Sequence, residues 1–415
     1  MNLLRSVLGF YIRLFWPILV IVRRVWDFWV SVLFRLTVGM RRRSALPPVF
    51  NPLLLLPATV LAENIRQRKM TSVDIVRAFV TRCSDVNPLL NSIVQENFQD
   101  ALQTAKEIDE RINEGYMNKT LTKEKLREEE PFLGVPFTVK ETVSVQGFPH
   151  TAGLLKRSKE RAEEDAVIVT RMKEAELIPM KGCNIQKSGE DKISIQVAGP
   201  LTRHAVDITP LLKILSGPKA KLLALDKPVH FSCLKFYYIE DDSNKVLTSD
   251  VIPALRSALI EINKYLLKKY DIVAMKVRIP DLRTSYWIWQ EKMKEDYAAN
   301  KPMYMELLNN EGEVNIWTEM LRGLLGGRAR HSFASLLQVA IEKITDELRF
   351  LRDQKNVLEG KTVEKPLSYN PKWRQLKMKI QVVGGMYMDR LTIAVAKDLE
   401  KAFGGWKCPA KILRK

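Results

Sequence analysis

At 415 residues, with 46% hydrophobic and 27% charged side chains, the chain is long enough to bury an extensive core and is neither disordered nor collagen-like. Its formal charge of +18, from 66 basic and 48 acidic residues, is uneven, because residues 1–45 hold eight arginines and a single acid, Asp27. Beyond that segment lysines mix with acids, and no basic stripe with interleaved aromatics follows, so no nucleic-acid partner is expected. Cys83, Cys183, Cys233 and Cys408 lie far apart, with no Cys-x-x-Cys pair and no His at ligand spacing. They form neither a disulfide framework nor a zinc site, and no metal or other cofactor is expected.

Within the first 45 residues the uncharged runs 6–12, 14–22 and 28–34 are broken by Arg13, Arg23, Arg24, Asp27 and Arg35. None reaches the ~18 apolar residues of an easy spanning helix, although 6–22 could span if Arg13 snorkelled and the bend at Pro17 were tolerated. Arg13, Arg24 and Arg35 recur every eleven residues, close to three helical turns, and so share one face. Trp16, Trp26 and Trp29 supply interfacial aromatics, and Arg41, Arg42 and Arg43 suit anionic headgroups. The segment is therefore expected to be a membrane-anchoring helix, spanning or lying in the interface, with membrane lipids as its partner. No small-residue cleavage site follows the apolar run, which argues against a removed signal peptide. The chain divides on this reading into an anchor, 1–45, and one α/β domain, 46–415.

Pro47, Pro48, Pro52 and Pro57 punctuate a linker, after which Val60, Leu61 and Ile65 begin helical stripes. A second helix with Val73, Val76, Phe79 and Val80 is capped by Thr71 or Ser72, with Asp74 in its first turn, and ends at a turn marked by Asn87-Pro88. A third helix is predicted over about 98–113, and 114–130 reads as an exposed connection. Residues 133–139 form a short apolar strand with Lys140 at its carboxyl end; Asp165 then caps a helix to about 176, and 177–180 is strand-like. Strand, helix, strand in that order is the parallel α/β signature, and it recurs at 234–239, 252–268 and 272–277. Trp317, Met320, Leu321, Leu324 and Leu325 repeat at helical spacing, as do Phe333, Leu336, Leu337, Ala340, Ile341 and Ile344, giving two amphipathic helices read mainly as core. Such helices also suit a surface that dips into lipid or lines an apolar entrance. Residues 380–383 are strand-like, and Asp389 caps a last helix that turns Leu391, Ile393, Ala394, Leu399 and Phe403 inward and stops at Gly404-Gly405.

Lys140 is the residue with chemical promise. An amine partly desolvated at the end of a buried strand can act as a general base near neutral pH, although a strand-end lysine by itself is more simply a solvated charge. Its surroundings, Gly134-Val135-Pro136-Phe137-Thr138-Val139-Lys140-Glu141, then Gln146-Gly147 and Thr151-Ala152-Gly153-Leu154, resemble the lysine region of the amidase signature family. The likeness is to its membrane-anchored fatty-acid amide hydrolase 2 branch, and 71–91, Gly199-Pro200-Leu201-Thr202-Arg203 running into Asp207, and 389–406 agree with it. It covers most of 50–240 and 380–408. The resemblance implies a mixed sheet surrounded by helices and an acyl-enzyme hydrolysis of lipophilic amides. In it the lysine, matched by Lys140, acts through a serine on a cis peptide to activate a second, nucleophilic serine.

One departure weighs against that chemistry. The family places Gly-Gly-Ser-Ser-Gly-Gly and a second Gly/Ser-rich segment between the lysine region and Gly-Pro-Leu-Thr-Arg, yet here the likeness stops near Cys183-Asn184 and resumes by about Gly189, and no such hexapeptide occurs. A second family segment is replaced by the unpatterned 356–379. Ser188 and Ser144 are the nearest substitutes, and each reads more simply as a loop residue. His150, His204, His230 and His331 show no triad or metal spacing, though a triad can assemble in three dimensions. The fold is thus expected to be incomplete and the chain, an amidase by ancestry, inactive as written. The alternative is a non-enzymatic, membrane-attached truncated scaffold: a splice form, a decayed paralogue or a faulty gene model.

Overall fold

The computed structural model describes residues 2–37, 45–140, 143–151, 157, 159–180, 199–242, 251–279, 282, 285, 315–324, 331, 336–337, 339–340, 381–385 and 387–413, with 2–17, 19, 323 and 324 described by backbone alone. The chain divides into two compact units: Met1–Ala45, Pro228–Trp289 and Leu376–Gln381 make one, and Leu46–Lys227, Gln290–Gln375 and Val382–Lys415 the other.

The first unit opens with α1, Asn2–Thr37, a continuous helix of 36 residues. At about 1.5 Å per residue it has the length to cross a bilayer. No helix among the described residues is long and apolar enough to do so, however, and over 18–37 the charges of Arg23, Arg24, Asp27 and Arg35 are the evident reason. The spanning form of the anchor is therefore without support.

The second unit begins with a short turn at Pro52–Leu55, where the Asn51 side chain accepts from Leu53 N at 3.0 Å. Helix α2, Ala58–Arg66, follows Pro57, which has no side chain able to cap it. Helix α3, Ser72–Leu90, starts as its sequence implies, with Thr71 Oγ1 accepting from Asp74 N. Its end departs from expectation: the helix runs through Asn87-Pro88 and stops three residues later at Asn91, in the left-handed region. The Asn87 side chain accepts from Ser92 N and Ile93 N and donates to Ile93 O, so the residue that reads as a turn former does its work from inside the last helical turn.

Helix α4, Phe98–Met117, packs on α3 and presents Ala101, Ala105, Ile108 and Ile112 to the core. The stretch read as an exposed connection folds into α5, Lys123–Glu129, capped by Thr122, because Leu126 finds full burial. These helices close over Leu61, Ile65, Ile75, Val76, Phe132, Leu133 and Ile178.

Strand β1, Pro136–Phe137, pairs in parallel with β2, Ile178–Pro179, through the intervening α6, Val167–Glu174, as the strand–helix–strand pattern implies. The pairing is far shorter than 133–139 suggests. Each strand contains a proline, which has no N–H to donate, so the ladder rests on Ile178 N to Val135 O at 3.0 Å and Met180 N to Phe137 O at 2.9 Å. Helices α7, Ile208–Ser216, and α8, Ala220–Leu223, complete this stretch.

Back in the first unit, β3, Tyr237–Tyr238, and β4, Met275–Lys276, pair in parallel around α9, Pro253–Tyr270, again as expected. Parallel pairs are normally covered on both faces. Here Tyr237 and Met275 are exposed, and Leu266, Ile272 and Leu282 alone are buried among the described residues of this stretch. The α/β class holds, but the described strands form two separate parallel pairs and not the one mixed sheet expected.

Two further helices belong to the second unit. In α10, Ile316–Leu324, the inward face is Ile316 and Met320, packed with Leu336, Val339 and Ala340, whereas Trp317 and Leu321 of the expected stripe are exposed. The last helix, α11, Asp389–Phe403, has Met388 and not Asp389 at its cap position, buries Ile393 and Val395, leaves Phe403 exposed and ends at Gly404 with φ of 80°. Residues 381–385 form no strand.

Candidate functional site at Lys140

The chain that leads into β1 and on to Lys140 is held by a polar frame. Arg66, 3% exposed at the end of α2, donates to the carbonyls of Glu130 (2.9 Å) and Pro131 (3.4 Å) and pairs with Glu63 (3.1 Å). Arg111 of α4 grips the Glu130 carboxylate through two bonds of 2.8 and 2.7 Å and reaches Glu176 at 3.6 Å. Planar guanidinium forks suit this work, since one side chain fixes both a carboxylate and its chain direction. Glu63 also receives Arg127, and that bond above all holds its carboxyl down to about 2. Burial pushes the Glu176 carboxyl up, with Arg111 opposing.

Gly134 then turns the chain into β1. Its φ of +69° is one that side chains resist, and a Cβ there would lie 2.6 Å from Ser72 Oγ. The same Ser72 hydroxyl, buried at the start of α3, donates to Gly134 O at 2.9 Å, and Gly134 N donates to Glu176 O at 2.8 Å. The glycine of the lysine motif is thus required by close packing and backbone conformation together.

Lys140 stands three residues beyond β1 and is exposed, so the described residues do not bury it as a strand-end position implied. Its carbonyl accepts from Val143 N at 3.1 Å, turning the chain into the segment 143–151. Val143 and Val145 pack with Val169 of α6 beneath that turn, with Phe137, Val139 and Phe148 around them. Gly147 N donates to Ala162 O, Ala162 N to Phe148 O, and Gln146 N to Asp165 Oδ1 at 2.8 Å. Asp165, expected to cap α6, instead joins this loop to Lys173 on α6, while Ala166 occupies the cap position.

The remaining candidates are not drawn into one constellation. Ser144 is half-buried in the loop, and its carbonyl accepts from Ala166 N. Ser188, the interruption between Asn184 and Gly189, residues 152–154 and 356–379 lie outside the described residues. His204 makes a 3.1 Å ring contact with Leu55 O, a structural bond, and His230 belongs to the first unit. Among the described residues no group of three or more His, Cys, Asp or Glu is placed to hold a metal.

The segment 199–209 has a role that sequence reasoning missed. Asp207, 3% exposed, accepts from Ala58 N and Thr59 N at 3.0 Å each and from Thr59 Oγ1 at 2.8 Å, and so caps α2 in place of Pro57. Arg203 donates to Leu54 O and lies over the rings of Phe79 and Trp406, while Ala205 N donates to Glu400 at 2.9 Å and Lys397 to Thr209 at 2.7 Å. The motif stitches α2 and α3 to α11. Asp109 of α4 performs a second remote capping, on Ser72 N (2.7 Å) and Val73 N (3.0 Å) at the start of α3.

Comparison with known proteins bears on this arrangement. A family model described as Amidase matches residues 74–190, which include the whole Lys140 strand and loop. Fatty-acid amide hydrolase 2-B of Danio rerio is 28% identical over 92% of this chain and 96% of its own length. Fatty-acid amide hydrolase 2 of Homo sapiens is 27% identical over 88% and 92% respectively. The chain is similar to these amide hydrolases along most of its length. A solved structure of fatty acid amide hydrolase is 15% identical, with a TM-score of 0.49 over 84% of this chain and 73% of that one. The Danio rerio alignment has 513 positions, and 92% of 415 residues fills about 380 of them, so about 130 positions have no residue of this chain opposite them.

Proposed function

We propose that this chain is a fatty-acid amide hydrolase-like scaffold that keeps the base position, Lys140, and performs no serine-dependent amide hydrolysis. The observation that carries the reading is the shortfall of about 130 positions inside an alignment that otherwise spans 96% of the Danio rerio relative. It agrees with the absence of a Gly-Gly-Ser-Ser-Gly-Gly stretch from the whole sequence. Amide hydrolysis through an acyl-enzyme needs a hydroxyl activated by an adjacent base and N–H donors aimed at the developing oxyanion. Lys140 supplies a base alone, and a base without a nucleophile leaves a resonance-stabilised amide untouched. The ancestral substrate class is lipophilic amides, and residues 1–45 attach the protein to an intracellular membrane, where such amides partition.

The test is labelling of the full chain, reconstituted in vesicles, with a fluorophosphonate that reports activated serines. No labelling of folded protein is expected, together with no hydrolysis of a long-chain fatty amide above the rate of empty vesicles. Labelling that is lost in Lys140→Ala would overturn the proposal and establish a working serine amidase.

A further inference from the structure

Membrane attachment leaves open whether the first helix crosses the bilayer or lies on it, and α1 has the anatomy for one of these. At about 100° per residue, Ile21, Val25, Phe28, Trp29, Leu33 and Leu36 fall within a sector of about 140°. All six are exposed. Arg23, Asp27, Ser31, Arg24 and Arg35 fall within about 120° on the opposite side, a sector in which Val20 and Phe34 are the apolar members. A spanning helix is apolar all round, and a helix of a water-soluble surface turns its apolar sector into protein. Over 18–37, α1 does neither. Its polar side carries net positive charge, with Arg23, Arg24 and Arg35 against the single acid Asp27, which accepts from Arg23 at 3.0 Å. The wider segment 1–45 adds to that charge, with eight arginines against one acid.

We infer that α1 lies in the plane of an anionic lipid surface. The sector containing Phe28 and Trp29 enters the boundary between headgroups and acyl chains, and Arg24 and Arg35 face lipid phosphates. A helix with a wide apolar sector, interfacial tryptophans and an arginine-bearing polar side is held there by buried apolar area and by charge together. Both ends of the helix then stay on the side from which the protein arrived. The inference rests on the membrane attachment proposed above and is independent of whether a nucleophile exists.

The experiment synthesises the full chain outside preformed unilamellar vesicles of phosphatidylcholine, with or without 30% phosphatidylserine. Vesicles are floated, and a membrane-impermeant maleimide is added to variants Asn2→Cys and Thr37→Cys, with labelling read at each position by mass spectrometry. The expected result is labelling at both positions without detergent and stronger flotation with phosphatidylserine. Arg24→Gln/Arg35→Gln, changes confined to the exposed polar side, should lower partitioning onto phosphatidylserine vesicles by about tenfold or more while changing phosphatidylcholine binding by less than about twofold. Protection of position 2 until detergent is added would mean that the helix crosses, which overturns the in-plane placement and leaves attachment intact. Equal flotation on both lipids, unaffected by the arginine changes, would overturn the anionic partner. Absence from all floated vesicles, including a chain that holds RNA instead, would overturn this inference and membrane attachment together.

Discussion

Replacing Asp207 by alanine removes the cap of a helix that begins 149 residues earlier. Three bonds of 2.8 to 3.0 Å end on its carboxylate, two from the orphan amides of Ala58 and Thr59 and one from the Thr59 hydroxyl. Bonds to a charged acceptor contribute about 1.5–3 kcal/mol each when one partner is deleted, and loss of a capping side chain costs ~1 kcal/mol. The three are not additive, because one group accepts them all, and desolvation of a carboxylate that is 3% exposed offsets part of the gain. A net loss of about 3 kcal/mol is expected, which lowers the melting temperature of a unit of this size by ~6–12 °C. Thermal melts followed by circular dichroism give that shift, and hydrogen exchange at Ala58 and Thr59 locates it. A double-mutant cycle with Thr59→Ala should return a coupling of about 1 kcal/mol. A shift below ~2 °C, or strict additivity with Thr59→Ala, would refute the claim that Asp207 acts as a remote cap.

Gly134→Ala meets Ser72 Oγ at 2.6 Å and demands a φ of +69°, so a loss of about 2 kcal/mol or more is expected in urea unfolding; an unchanged midpoint would remove the packing reason for this glycine. Glu63, held at about 2 against an ordinary 4.5 chiefly by Arg127, contributes stability that is complete above pH ~4.5 and is lost as pH falls toward 2. Glu63→Gln should therefore be less stable than the parent at pH 6 and converge with it by pH 2 in urea titrations, and a gap that stays constant across that window would contradict the pairing.

What was legible in the sequence was local. Both parallel strand–helix–strand units follow from apolar runs interrupted by an amphipathic helix, and both pair as that order requires. Thr71 and Asp74 identify the start of α3 because capping is an interaction between near neighbours. Residues whose partners are remote were misread. Asp165 sits one residue before a cap and so passes for one, yet its oxygens serve Gln146 and Lys173. Asn87-Pro88 has the composition of a turn, and proline tolerates the last turn of a helix when a side chain satisfies the amides that follow. The stripe of α10 failed at Trp317 and Leu321 because helical spacing defines an apolar face without saying which part of it meets protein. At the candidate site the Lys140 motif was readable as a family pattern, while the burial expected of its amine was not met, since the paired strand ends at Phe137.

The caps of α2 and α3 differ in when they become available. Asp109 follows Ser72 by 37 residues, whereas Asp207 trails Ala58 by 149 and Glu400 trails Ala205 by 195. A ribosome adding ~5–20 residues per second makes the first wait a matter of a few seconds, the second ~7–30 s and the third longer still. During nascent life α2 must therefore persist with an uncapped amino end while α3 and α4 are already able to close. The segment Gly199–Asp207 is in turn secured from its far side only when α11 leaves the exit tunnel. A chaperone that screens unfinished chains would meet this protein with that fastening still unmade until α11 emerges.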